Sequence, residues 1–168
     1  MSEEGYRKLY ERAARFPHAS ALFTICDRVF VALVAGSYMV ILFWSFVLKM
    51  PETVPFLFGP AAAFAFVSIM RAALNWRRPY EAFGTQPLIE KDTEGHSFPS
   101  RHVASAFAIA AASILYDFRI TIFLAVLGGI IAVLRVAGGV HFIRDVVCGA
   151  ALGGGVGAAA VVIFLLCR

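Results

Sequence analysis

Five apolar segments dominate this chain and lie at roughly 28–48, 54–76, 101–116, 119–137 and 143–167. A helix needs about 20 apolar residues to cross the hydrocarbon core of a membrane. Three segments meet that length, and the two shorter ones can span if their polar ends lie among the headgroups. Only 15% of the 168 residues are charged, against about 25% in soluble domains. The sequence therefore predicts an all-α, polytopic transmembrane helix bundle with five spans.

The N-terminal residues predict a different kind of helix. Apolar and aromatic positions recur there at helical spacing, with basic residues off that face; the recurring positions are Tyr6, Leu9, Tyr10 and Ala13. A helix of this kind typically lies in the membrane interface. We therefore expect a single membrane-embedded domain over 1–168, with an interfacial amphipathic helix at 1–20 and the transmembrane bundle at 21–168.

The distribution of charged residues and the spacing of the cysteines limit the kinds of ligand that the chain is expected to bind. The net charge of +4 falls in clusters between the apolar runs, and no basic stripe interleaves with aromatic residues, which argues against nucleic-acid binding. Anionic lipid headgroups or phosphate groups suit such clusters. Cys26, Cys148 and Cys167 have no CxxC spacing and are interpreted as packing residues. No His, Cys or carboxylate set has metal-ligand spacing, so neither metal nor cofactor is predicted.

A glycine ridge marks the fifth segment. Gly149, Gly153 and Gly157 stand four residues apart, which lets helices approach closely. Tight packing inside the bundle is the preferred interpretation, and a homodimer interface is the alternative.

Two connections carry most of the polar chemistry. In a five-span chain the long loop at 77–100 and the turn at 138–142 emerge on the same membrane face. Ionisable residues at membrane depth are costly and point to function by default. The sequence therefore predicts one site built from both connections.

Three short segments supply that chemistry. Arg71 and Arg78, seven residues apart, are expected on one helix face, where they bind phosphate oxygens or extend to the headgroups. The stretch SFPSRH at 97–102 predicts a helix start, which is an anion site beside a histidine or simply a capped helix. His141 and Asp145 are spaced for an imidazole with an orienting carboxylate, or for an interfacial ion pair.

Two histidines, one of them backed by a carboxylate, amid arginines suit metal-free phosphoryl chemistry. One histidine attacks phosphorus, arginines hold the phosphoryl oxygens, and the other histidine protonates the leaving alcohol. This combination predicts a phosphatase.

The motifs resemble those of the type 2 phosphatidic acid phosphatase superfamily, whose membrane lipid phosphatases share their site with vanadium-dependent haloperoxidases. The family pattern is Lys-x6-Arg-Pro, then Pro-Ser-Gly-His, then Ser-Arg-x5-His-x3-Asp. This chain has the matching positions in the same order and with the same internal spacings: Arg71, Arg78 and Pro79; Pro99, Ser100, Arg101 and His102; Leu134, Arg135, His141 and Asp145.

The resemblance implies a role for each matching residue. His141 would be the nucleophile that forms a phosphohistidine, Asp145 its orienting partner, and His102 the general acid and then the base that activates water. The phosphate-binding set would be Arg71, Arg78, Ser100 and Arg135. The family generally requires no metal.

Three positions depart from the family pattern. Arg71 replaces a lysine, Arg101 replaces a glycine and Leu134 replaces a serine. A side chain at position 101 either crowds the approach of the phosphate or adds a contact to a second phosphate or a headgroup. The family also often has six spans, one more than predicted here.

The resemblance implies a lipid phosphate substrate in a cell membrane, in the bacterial plasma membrane by analogy with bacterial relatives. Phosphatidic acid, phosphatidylglycerol phosphate and polyprenyl mono- or diphosphate all remain open. The positive-inside rule favours a cytoplasmic site, because only three basic residues are expected on the opposite face: Lys49, Arg119 and Arg168. Bacterial relatives commonly act on the outer face, so the side stays open. The alternative function is a non-catalytic transporter or an anion- or lipid-phosphate-binding protein.

Overall fold

The computed structural model describes residues 3–91 and 93–168, and within those ranges all regular structure is helical. The helices are α1 Glu3–Ala14, α2 Ala19–Val47, α3 Thr53–Leu74, α4 Pro79–Phe83, α5 Arg101–Ala112, α6 Phe118–Ala137 and α7 Ile143–Cys167, with a 3₁₀ turn at Ser113–Leu115 after α5. The all-α prediction is confirmed for these residues. Residues 1 and 2, part of the predicted interfacial helix, lie outside them.

Four stretches are long and apolar enough to cross a membrane: α2, Thr53–Phe83 (α3 with α4), α6 and α7. They support a multi-pass membrane protein. The third predicted segment forms α5, whose 12 residues extend only about 18 Å at 1.5 Å per residue. This helix and its 3₁₀ turn are not among the candidate spans, so the prediction of five spans is not confirmed.

Helix α5 is the centre of the bundle, packed against α3, α6 and α7. The glycine ridge of α7 permits that packing. A Cβ atom at Gly149 would lie 2.6 Å from the carbonyl oxygen of Ser100, and one at Gly157 would lie 2.6 Å from that of Ala108. A Cβ at Gly153 would also clash with the α5 backbone. The ridge therefore packs inside the bundle, as predicted, and a homodimer interface is not shown.

The predicted interfacial helix lies against protein. Tyr6 is only 2% exposed and Ala13 is buried. The Tyr6 hydroxyl donates to the Gly139 carbonyl at 3.2 Å, and the Tyr10 hydroxyl donates to the Gln86 carbonyl at 2.6 Å. The apolar face of α1 thus covers the loop and the turn that carry the motifs. Its predicted position in the membrane interface is not confirmed, because this face is occupied by protein contacts.

The two connections meet at one end of the bundle, as the alternation of segments predicts. The backbone N–H of Leu88, in the long loop, donates to the Gly138 carbonyl in the 138–142 turn at 2.9 Å. Helix α7 begins just after that turn, and α5 begins just after the loop. The predicted site residues therefore come from one end of the molecule.

Candidate active site

His141 and Asp145 form a buried pair. His141 lies two residues before α7 and is 2% exposed, whereas Asp145 lies in the first turn of α7 and is fully buried. The distance from His141 Nδ1 to Asp145 Oδ2 is 3.5 Å, longer than a standard hydrogen bond. Catalytic pairs often tighten only when substrate binds. Because Nδ1 faces the carboxylate, Nε2 is the ring nitrogen left for chemistry.

Asp145 is held in place by two further donors. The Ser97 hydroxyl donates to Asp145 Oδ2 at 2.5 Å, and the Phe142 backbone N–H donates to the same oxygen at 3.0 Å. In the sequence SFPSRH, Ser97 is one of two serines that could cap the helix start. Its true partner lies 48 residues further along the chain, a pairing that no local pattern reveals. Ser97 therefore orients the carboxylate that faces His141.

The environment of His141 favours the neutral imidazole. Its pKa is lowered from 6.5 to about 4, mainly because burial disfavours the charged form. Asp145 opposes this shift, and the positive charges of Arg78 and Arg135 add to it. A neutral imidazole carries the free electron pair that a nucleophile needs.

We expect His141 to stay neutral well below the ordinary histidine value of about 6.5. Since its pKa is lowered, protonation occurs only as the pH falls toward about 4. Histidine ¹⁵N NMR of the detergent-solubilised protein measures this directly, with His141→Gln identifying the resonance. A midpoint at or above the ordinary histidine value would contradict the prediction.

Arg71 and Arg78 reach the site from different elements. Helix α3 ends at Leu74, and Asn75 follows in the left-handed conformation. The prediction that the two arginines share one helix face is therefore wrong, because Arg78 lies in the extended segment before α4. Arg78 is only 2% exposed, so it does not extend to the headgroups.

Backbone carbonyls hold both guanidinium groups. Arg71 Nη1 donates to the carbonyl oxygen of Pro99 at 2.8 Å and contacts that of Ser97 at 3.3 Å. Arg78 Nε donates to Gly95 at 2.9 Å, and its Nη1 donates to Val140 at 3.2 Å. Arg71 is thus fixed beside the start of α5, and Arg78 bridges the loop and the turn.

Arg135 lies in the last turn of α6 and is 4% exposed. Its Nη2 donates to Asp27 Oδ2 on α2 at 2.6 Å. Asp27 could not be recognised from the sequence, because an aspartate near the start of an apolar helix resembles any charge at headgroup level.

The start of α5 brings together the second motif. Ser100 is the N-cap residue, fully buried, and its hydroxyl makes no capping hydrogen bond. His102 follows in the first turn, half-buried and within electrostatic range of Arg135 and His141. Arg101 is exposed, with its guanidinium 5.0 Å above the ring of Phe64. A helix N-terminus with a spare hydroxyl and a histidine is suited to binding an anion.

A cavity of about 180 Å³ opens beside this helix start. Arg101, His102 and Ser105 contribute its polar lining, and the remaining lining residues come from α2, α3, α5 and α6: Val31, Val34, Ala35, Phe64, Ala106, Ile109 and Ile131. An apolar cavity next to cationic groups suits an amphiphilic ligand.

Unpartnered polar atoms are concentrated in this region. Among the described residues, six buried side-chain atoms lack a hydrogen-bond partner: Asp27 Oδ1, Thr85 Oγ1, Ser100 Oγ, Arg135 Nε, His141 Nδ1 and Asp145 Oδ1. Such atoms are rare in folded proteins, and all but Thr85 belong to the predicted site or contact it.

Within the described ranges, no group of three or more His, Cys, Asp or Glu side chains could hold a metal. The absence of a metal requirement remains a prediction.

Lys91 adds a further cation that belongs to none of the three motifs. Its pKa is lowered from 10.5 to about 8, first by burial and then by the positive charges of four arginines: Arg78, Arg135, Arg71 and Arg101. The long loop therefore places an ammonium group in the same basic region as the motifs.

Comparisons with known proteins identify the family and agree with the helical membrane fold. A family model, the PAP2 superfamily, matches residues 52–167, more than half of the chain. The crystal structure of LpxE from Aquifex aeolicus is similar, with a TM-score of 0.72 and 24% identity over 94% of this chain and 93% of that one. A transmembrane PAP2-type phosphatidylglycerolphosphate phosphatase from Bacillus subtilis has a TM-score of 0.76 and 18% identity over 99% and 87% of the two chains. No curated protein sequence matches the chain.

Proposed function

This chain belongs to the PAP2 superfamily, the type 2 phosphatidic acid phosphatases, and we propose that it is an integral membrane phosphatase acting on a lipid phosphate. The substrate is the phosphomonoester or pyrophosphate of phosphatidic acid, phosphatidylglycerol phosphate or a polyprenyl lipid. The observation that carries the proposal is the buried His141–Asp145 pair within electrostatic range of Arg78 and Arg135. A site that only binds phosphate needs positive charge but no activated nucleophile.

The first half of the reaction transfers the phosphoryl group to the protein. Nε2 of His141 uses its electron pair to form a bond to phosphorus, and the bond from phosphorus to the leaving oxygen breaks. His102 acts in its protonated form and gives that oxygen its proton, so the leaving group departs as an alcohol or, from a diphosphate, as a protonated phosphate. Burial and the nearby positive charges lower the pKa of His102, and the negative charge of the bound phosphate opposes that shift. Asp145 stabilises the positive charge on the imidazole ring. The phosphoryl oxygens are held by Arg71, Arg78, Ser100 and Arg135.

The second half returns His141 to its starting state. His102, now neutral, takes a proton from water while the oxygen attacks phosphorus and the nitrogen–phosphorus bond breaks. Inorganic phosphate then leaves, and both histidines have their original protons. The mechanism requires no metal or other cofactor.

Phosphate release from a panel of lipid phosphates in detergent tests this function. We expect at least one of phosphatidic acid, phosphatidylglycerol phosphate and polyprenyl diphosphate to be hydrolysed, with turnover unchanged by EDTA. The Bacillus neighbour's name makes phosphatidylglycerol phosphate a necessary member of the panel. Binding of these lipids without any phosphate release would instead support the transporter or lipid-phosphate-binding alternative.

Arg101 is expected to influence substrate preference rather than chemistry. Its side chain is exposed over Phe64 at the cavity that also reaches His102. We expect Arg101→Gly, which restores the family residue, to keep turnover while changing the order of preference among headgroups. Relative kcat/KM values across the panel measure this. An unchanged order would contradict the role, and Arg101→Lys serves as the matched control that keeps the charge.

We further propose that residues 1–168 act as one membrane-embedded domain in the bacterial plasma membrane. Four candidate spans support a multi-pass position. Topology mapping establishes which membrane face the site is on, and mass measurement in detergent tests for a homodimer.

A further inference from the structure

Asp27 is a buried carboxylate that none of the three motifs contains. It lies in α2, is 5% exposed, and accepts a hydrogen bond from Arg135 at 2.6 Å across 108 residues of sequence. Helix α2 lies outside the residues matched by the family model. A buried charge needs a partner, and here that partner is an arginine proposed to bind phosphate.

Arg135 is held differently from the other two arginines of the site. Neutral backbone carbonyls hold Arg71 and Arg78, whereas a carboxylate holds Arg135. The contact is between one nitrogen and one oxygen, because Asp27 Oδ1 and Arg135 Nε both lack partners. A guanidinium has five N–H donors, so this contact leaves donors of Arg135 for a second anion.

The same turn of α2 also anchors the long loop. The Thr24 hydroxyl contacts the Leu88 carbonyl at 3.4 Å and accepts from the Glu90 backbone N–H at 3.1 Å. Arg28 pairs with Glu90 at 2.9 Å on the exposed side. One helical turn therefore positions both Arg135 and the loop segment that carries Lys91.

We propose that Asp27 is a positioning residue for Arg135. It fixes the orientation of the guanidinium group and offsets one positive charge of the site, so that phosphate is bound firmly enough for transfer but is still released as product. The proposal rests on the proposed phosphatase function, since the affinity that it adjusts is that for phosphate. The role of Asp27 is exerted through its hydrogen bond with Arg135 and not through a contact with the substrate.

The test compares Asp27→Asn, Asp27→Glu and Glu90→Gln. The last variant is the matched control, because it weakens the exposed ion pair on the same α2 turn and leaves Arg135 alone. The readouts are kcat, KM and the inhibition constant of inorganic phosphate with the best lipid substrate, together with thermal stability in detergent. Direct binding of inorganic phosphate is measured as well, so that the proposal is tested even if no lipid of the panel is hydrolysed.

For Asp27→Asn we expect the inhibition constant of phosphate to fall about tenfold, because one negative charge near the site is removed. We expect kcat to fall by ~10-fold to 10²-fold, because Arg135 loses its fixed orientation. Asp27→Glu should recover most of the wild-type phosphate affinity while kcat stays reduced. Glu90→Gln should leave kcat and phosphate affinity within about twofold of the wild type, because an exposed ion pair contributes little free energy.

Wild-type kcat and phosphate affinity in a folded Asp27→Asn protein would overturn the proposal. Equal decreases of kcat in Asp27→Asn and Glu90→Gln would also overturn the proposal, since they would show that α2 only supports the loop. If Asp27→Asn does not fold, Asp27→Glu decides, and a wild-type kcat in that variant would overturn the proposal. If the wild-type protein hydrolyses none of the lipids, only the phosphatase function is refuted. Tighter binding of inorganic phosphate by Asp27→Asn than by the wild type would still support the role of Asp27.

Discussion

Replacing His141 with alanine should lower phosphate release by ~10⁴-fold or more, the scale of loss when a covalent nucleophile is removed. The imidazole of His141 is buried, its pKa is lowered, and its Nδ1 faces the Asp145 carboxylate, which leaves Nε2 for attack on phosphorus. The KM should change much less, because the arginines that bind phosphate remain. Steady-state turnover of the best lipid substrate measures the loss.

A covalent intermediate gives an independent check on His141. Rapid quenching with ³²P-labelled substrate should leave label on the wild-type protein that survives alkali and is lost in acid, as expected of a phosphohistidine. His141→Ala should carry no label. His96→Ala is the matched control, because His96 is exposed, belongs to none of the motifs, and has its ring Nδ1 within 2.9 Å of the Arg71 carbonyl oxygen. Wild-type turnover in His141→Ala would refute the mechanism.

Replacing Asp145 with asparagine should lower kcat by about 10²-fold to 10⁴-fold, the upper value being that of the corresponding change in serine proteases. The amide keeps the volume and still accepts from Ser97 and from the Phe142 N–H, but it has no charge to stabilise the imidazolium. Because Asp145 raises the pKa of His141, its removal should lower that pKa further. Steady-state turnover measures the fall in kcat, and a ¹⁵N NMR titration of the same preparation measures the pKa of His141.

Ser97→Ala separates the charge of Asp145 from its orientation. This variant keeps the carboxylate but removes the hydroxyl that donates to it at 2.5 Å. We expect a loss of activity clearly smaller than that of Asp145→Asn. Wild-type activity in Asp145→Asn would show that the carboxylate has no catalytic role and that His141 and Asp145 form only an ion pair, the alternative that the sequence left open.

The helical segments were largely predictable because few backbone conformations are stable in lipid. A backbone without water must satisfy its own hydrogen bonds, so long apolar runs become helices. The second, fourth and fifth predicted segments end within about two residues of α3, α6 and α7. The first segment was too short, since α2 begins at Ala19, where polar residues interrupt the apolar pattern but not the helix.

The sequence was least informative where several elements share an environment. The third segment was expected to span, but α5 is a short helix whose small side chains pack between α3, α6 and α7. The N-terminal amphipathic helix was expected in the membrane interface, yet its apolar face packs on the motif loops. Periodicity shows that a helix has an apolar face, but it does not show whether lipid or protein covers that face.

The sequence by itself determined an all-helical membrane protein and the residues of its three motifs, because residue type and local spacing carry that information. Only the tertiary structure decided how these residues are held: Ser97 on Asp145, backbone carbonyls on Arg71 and Arg78, and Asp27 on Arg135. Those partners lie up to 108 residues apart in the chain. Hydrogen bonds and ion pairs act over a few ångströms, so the partners of a buried polar group are known only once the helices are packed.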